Sequence, residues 1–73
     1  MSTLASSVAE IMRERARGKE WFDALPNERK WGLGDVLVLG DFDWRYWGFD
    51  HRPTRAFLLG ADAARINWEV QGV

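Results

Sequence analysis

Asp50 and His51 are neighbours in the chain, and a carboxylate beside an imidazole is the smallest unit that can move a proton near neutral pH. Asp41-x-Asp43 is an acidic pair of the kind that helps hold a divalent cation. Between them lies Arg45-Tyr46-Trp47-Gly48-Phe49, where rings alternate with a cation and a glycine, the material for stacking on flat ligands or anchoring a protein partner. Each has a plainer explanation. A turn needs polar residues whether or not they bind metal, and no third carboxylate is fixed near Asp41 and Asp43. Acid–base catalysis also needs a pocket of several hundred Å³, which a chain of 73 residues can hardly enclose without losing its core. No catalytic residue, metal site or cofactor is therefore expected. The aromatic stretch is the remaining candidate.

Composition sets the frame for it. Seventy-three residues make one small domain, and with no cysteine and one histidine neither disulfides nor a structural zinc site can staple it. The ten aromatic residues are the natural substitute, since each buries about 150–250 Å². Ten basic residues against eleven acidic ones give a net charge of -1, far from the basic balance of a dedicated nucleic-acid binder and equally far from a polyacidic DNA mimic. Neither a signal peptide nor a membrane span is legible, so the expectation is a soluble, cytoplasmic, monomeric protein.

Residues 1–6 offer no periodic apolar face and are expected to form a flexible arm, with residues 7–73 as a single domain. Ser7-x-x-Glu10 matches a capping box, Val8, Ile11, Met12 and Arg15 share a helical face, and Gly18 stands where a helix ends, which predicts a helix over 8–17. A further helical turn over 19–25 would stop at Pro26, and PNERK reads as a turn. Val36–Leu39 reads as a covered strand, Gly40-Asp41 as a two-residue hairpin turn, and residues 42–49 as its returning strand. That register puts Phe42, Trp44 and Tyr46 on the core face with Leu37 and Leu39. Asp43, Arg45, Trp47 and Phe49 fall on the other face. Ala56–Leu59 and the alternating Ile66, Trp68 and Val70 supply two more strands. A helix through 55–68 also fits the spacing of Phe57, Ala61, Ala64 and Trp68, but Gly60 would interrupt it. The expected class is thus α+β, a short N-terminal helix followed by a four-stranded antiparallel β-meander.

On the second face, Trp47 and Phe49 either pack under the helix, return to the core through a bulge at Gly48, or reach solvent. In the last case Arg45, Trp47, Phe49 and Arg52 form an aromatic and arginine patch, the composition of a protein-binding hot spot. The size, the absence of cysteine, the eight arginines to two lysines, the expected short helix before a compact sheet, and the tryptophan-rich stretch from Trp31 to Val70 together resemble small bacteriophage proteins that inhibit host RNA polymerase. That resemblance implies a non-enzymatic transcription regulator that binds the large polymerase subunits and interferes with initiation. A small anti-CRISPR protein acting on another host complex has the same general character. The stretch Arg45–Phe49 is also similar to the aromatic strand on which RNA-recognition and cold-shock domains stack bases. A single-stranded nucleic-acid binder is accordingly the alternative, although the net charge makes nucleic acid a poor direct partner.

Overall fold

The computed structural model describes residues 3–33, 37 and 42–71, and among them every regular element is a helix. Helix α1 runs Thr3–Asp23, α2 Asn27–Trp31 and α3 Arg55–Val70. The expected β-meander is therefore corrected to a helical fold. Its Val36–Leu39 strand and Gly40-Asp41 turn lie outside the described residues, except for Leu37, which is buried.

Two glycines explain why the helices are longer than their sequences suggest. Gly18, read as a helix stop, is buried inside α1, and Gly60, read as a helix interruption, is buried inside α3. A Cβ on Gly18 would lie 2.0 Å from the carbonyl oxygen of Phe57, and one on Gly60 would lie 2.0 Å from that of Arg15. Only hydrogen fits in either place, so the two helices cross backbone against backbone. Glycine costs about 1 kcal/mol relative to alanine in a helix interior, and the close packing offsets that cost.

The α1–α3 contacts advance in the same sense along both helices. The Thr54 hydroxyl donates to Glu14 Oε1 at 3.4 Å, Gly18 meets Phe57 and Ala61, and the Phe22 ring lies 6.0 Å from that of Trp68. The pair is parallel. Because α3 starts level with Glu14, the turns of α1 before it lack that cover, and Val8, Ile11 and Met12 stay exposed.

The alternation of Ile66, Trp68 and Val70 has a helical origin. Successive helical residues turn by about 100°, so Ile66 and Val70 share one side of α3 while Trp68 points to the opposite side. Trp68 packs on the core, whereas Ile66 is 49% and Val70 78% exposed.

Thr54 caps α3, its hydroxyl accepting from the Phe57 amide at 3.1 Å while it also reaches Glu14. Thr54→Ala is expected to lower the unfolding free energy by about 1 kcal/mol in urea denaturation, and Thr54→Ser to recover most of it. Equal losses in both variants would show that the hydroxyl is not the source. Further along α3, Arg65 is buried and donates to Asp62 and Glu69, with closest ion-pair distances of 2.8 and 2.9 Å. Burial disfavours its charge, but the two hydrogen bonds and the attraction of both carboxylates outweigh that, so its pKa lies above the ordinary arginine value.

The core gathers Phe22, Leu33, Leu37 and Phe42 with Phe57, Leu58, Ala61 and Ala64 of α3. Adjacent residues of α1 begin its two aromatic clusters. Trp21 meets Phe42, Trp47, Phe49 and Phe57, with ring centroids 5.3–6.3 Å away. Phe22 meets Trp68, which in turn lies 4.6 Å from Trp31. Among the described residues, no helix is long and apolar enough to cross a membrane.

Candidate interaction surface

The segment Asp43–Phe49 is a single helical turn with both ends capped, and its formation is local. The Asp43 carboxylate accepts from the Tyr46 amide at 3.4 Å, and its carbonyl accepts from Trp47. At the other end the Gly48 amide donates to Arg45 and the Phe49 amide to Trp44, the bond pair of a Schellman stop. Gly48 has φ +94°, a conformation that any other L-residue adopts only under strain. The expected strand over 42–49 is thereby corrected. Asp43 serves as a cap, and Asp50 and His51 lie exposed on the bend before α3.

Helix α2 supplies the other half of the surface. Pro26 accepts from Arg29 and Lys30 at its start, Glu28 stands in its first turn, and Gly32 closes it by donating to Arg29. Pro, acid, base and Gly in that order are a helix start and stop signature, which the reading of PNERK as a turn missed.

The two elements meet at Trp47. A Cβ on Gly32 would come 4.0 Å from the Trp47 ring, and the Arg29 guanidinium lies 4.3 Å from the centre of that ring and 5.2 Å from that of Tyr46. Tyr46 and Trp47 are edge to face at 5.7 Å. Beside them Lys30 sits over Phe22 and Trp68, and Arg45 over Trp44. Trp31 is 61% and Tyr46 67% exposed. Arg29, Lys30 and Arg45 have no carboxylate partner among the described residues. Two exposed rings therefore stand on half-buried ones in separate clusters, Tyr46 on Trp47 and Trp31 on Trp68, and α2 places a cation over each cluster, Arg29 over the first and Lys30 over the second.

The four residues expected from sequence are distributed differently. Arg45 is exposed on the turn, and Trp47 is half-buried beneath Arg29, so these two share the surface. Phe49 packs inward, 5.3 Å from Trp21 and 5.5 Å from Phe57. Arg52 is exposed on the approach to α3 and makes no hydrogen bond, ion pair or ring contact with the other three. Sequence reading missed Arg29 and Trp31, and it assigned Tyr46 to the core by strand parity. No known protein family, curated protein or solved structure matches the chain.

Proposed function

We propose that this chain is a non-enzymatic protein-binding module and that its contact surface is built by Trp31 and Tyr46 with Arg29 and Arg45. The observation that carries the reading is that two large exposed rings are each packed on a half-buried tryptophan, Trp31 on Trp68 and Tyr46 on Trp47. Ordering such rings in advance lowers the entropic cost of binding, and tryptophan, tyrosine and arginine dominate protein-binding hot spots. The partner suggested by the sequence resemblance is bacterial RNA polymerase, with inhibition of initiation as the consequence. The β-sheet part of that resemblance is gone, so the polymerase assignment rests on size, composition and the tryptophan-rich stretch.

The test is direct binding of the purified protein to purified bacterial RNA polymerase. Trp31→Ala and Tyr46→Ala are each expected to weaken it more than tenfold while circular dichroism stays native. Absence of binding rejects the polymerase as partner. Tight binding to single-stranded DNA that falls about a thousandfold or more between 50 and 200 mM salt would replace the protein-binding reading with a nucleic-acid one.

A further inference from the structure

The chain has a single tyrosine, Tyr46, and it stands at the end of a line of tryptophans. Trp21 of α1 meets Trp47 with ring centres 5.9 Å apart, and Trp47 meets Tyr46 at 5.7 Å. Both contacts are edge to face. The two indoles are half-buried, whereas the phenol is exposed to water. The other aromatic cluster differs, because Trp68 leads to Trp31 and no tyrosine follows.

In a chain without cysteine, indoles and phenols are the side chains that most readily give up a single electron. Electrons pass quickly between rings in van der Waals contact, so Trp21, Trp47 and Tyr46 form a continuous path. Charge sets its direction. The Arg29 guanidinium lies 4.3 Å from the centre of the Trp47 ring, and a positive charge there raises the cost of a radical cation on that indole. Arg29 is also 5.2 Å from the centre of the Tyr46 ring. An oxidised phenol, however, sheds its proton to water and is left neutral, so the guanidinium penalises it little. At neutral pH a phenol that can release its proton in this way is oxidised more easily than an indole.

We propose that Tyr46 is the outlet for oxidising equivalents that form on Trp21 or Trp47, and hence the site at which oxidation of this cluster is expressed. An external one-electron oxidant takes an electron from either indole. The vacancy reaches Trp47, which takes an electron from Tyr46, and the phenolic proton leaves to water. Both indoles are restored, and any proton that one of them lost returns from solvent. In sum, one electron has passed to the oxidant, one proton to water, and a neutral tyrosyl radical remains at the surface. The path keeps the radical off Trp21, the ring that joins Phe42, Trp47, Phe49 and Phe57. It requires no partner chain, so it stands apart from the protein-binding reading.

Pulse radiolysis in azide solution tests the path, because the azide radical takes an electron from tryptophan in preference to other side chains and becomes azide ion. In the wild-type protein the tryptophanyl absorption is expected to decay as the tyrosyl absorption grows, at a rate independent of protein concentration. With one tyrosine in the chain, the growing signal belongs to Tyr46. Trp47→Phe keeps a ring in place but removes the oxidisable step. It should slow the growth severalfold or more with circular dichroism unchanged. Tyr46→Phe, at an exposed position, should leave the tryptophanyl radical long-lived. In air, that variant should also show severalfold more oxygen addition at Trp21 and Trp47 by peptide mass spectrometry. A tyrosyl signal whose growth rate scales with protein concentration overturns the proposal, since the electron then moves between molecules. So does a Trp47→Phe protein that transfers as fast as the wild type.

Discussion

Gly60→Ala is expected to destabilise the protein by more than about 2 kcal/mol, although alanine is the better helix former by about 1 kcal/mol. The sign follows from what the added carbon would meet. A Cβ there would lie 2.0 Å from the Arg15 carbonyl oxygen, 2.7 Å from the carbonyl carbon and 2.8 Å from the Cα. These are backbone atoms of another helix and cannot rotate aside. Relief requires α1 and α3 to separate, which loosens the contacts of Phe57, Ala61 and Ala64 along the same face. Overpacking of this kind costs about 1–3 kcal/mol and occasionally more, a large share of a small domain's stability. Gly18→Ala should behave alike, because its Cβ would meet Phe57 in the same way. The double variant should lose less than the sum of the two, since one separation relieves both clashes. Urea denaturation followed by circular dichroism reads all three. A Gly60→Ala protein as stable as the wild type would mean that the helices do not cross there.

Trp21→Ala should be the most damaging truncation of a ring, at about 3–5 kcal/mol. Its indole touches the rings of Phe42, Trp47, Phe49 and Phe57, and it is the only one of them on α1. Without it the Asp43–Phe49 turn loses the ring contacts of Trp47 and Phe49 with that helix. Hydrogen exchange localises the effect: the Gly48 and Phe49 amides, which close the turn on Arg45 and Trp44, should lose protection. Phe22→Ala should cost a similar amount through the Trp68 cluster, yet leave those two amides protected in the folded fraction. A Trp21→Ala protein that melts within a few degrees of wild type, with both amides still protected, would refute the role assigned to this ring.

How far the sequence could reveal this structure is clearest at its glycines. A glycine that stops a helix and one that admits a neighbouring helix look identical in a single chain, because the difference lies in a backbone that arrives from elsewhere. Reading Gly18 as the first kind cut α1 short, and reading Gly60 so rejected the helix over 55–68 that is in fact present. Ile66, Trp68 and Val70 then mimicked a strand, since an outer apolar stripe and an inner ring produce the same alternation as a pleat. The aromatic stretch stood out by composition, and the structure places Arg45 exposed and Trp47 half-buried on the turn it forms. Strand parity nevertheless put Tyr46 with Trp44 in the core. In a helical turn Tyr46 follows Arg45 round to the exposed side.

The parallel pairing of α1 and α3 also fixes when the molecule can take shape. Glu14 and Thr54 are 40 residues apart, and closing a loop of that length costs roughly 3 kcal/mol before any contact repays it. Folding that depends on such distant contacts is slower than the docking of neighbouring helices. On a ribosome the order is fixed, because Trp21 and Phe22 are synthesised before Phe57 and Trp68, which must receive them. At about 5–20 residues per second the interval between Phe22 and Trp68 lasts roughly 2 to 9 seconds. Once outside the exit tunnel and until Phe57 and Trp68 follow, the two large rings lack their partners on α3 and can be captured by chaperones or by another unfinished chain.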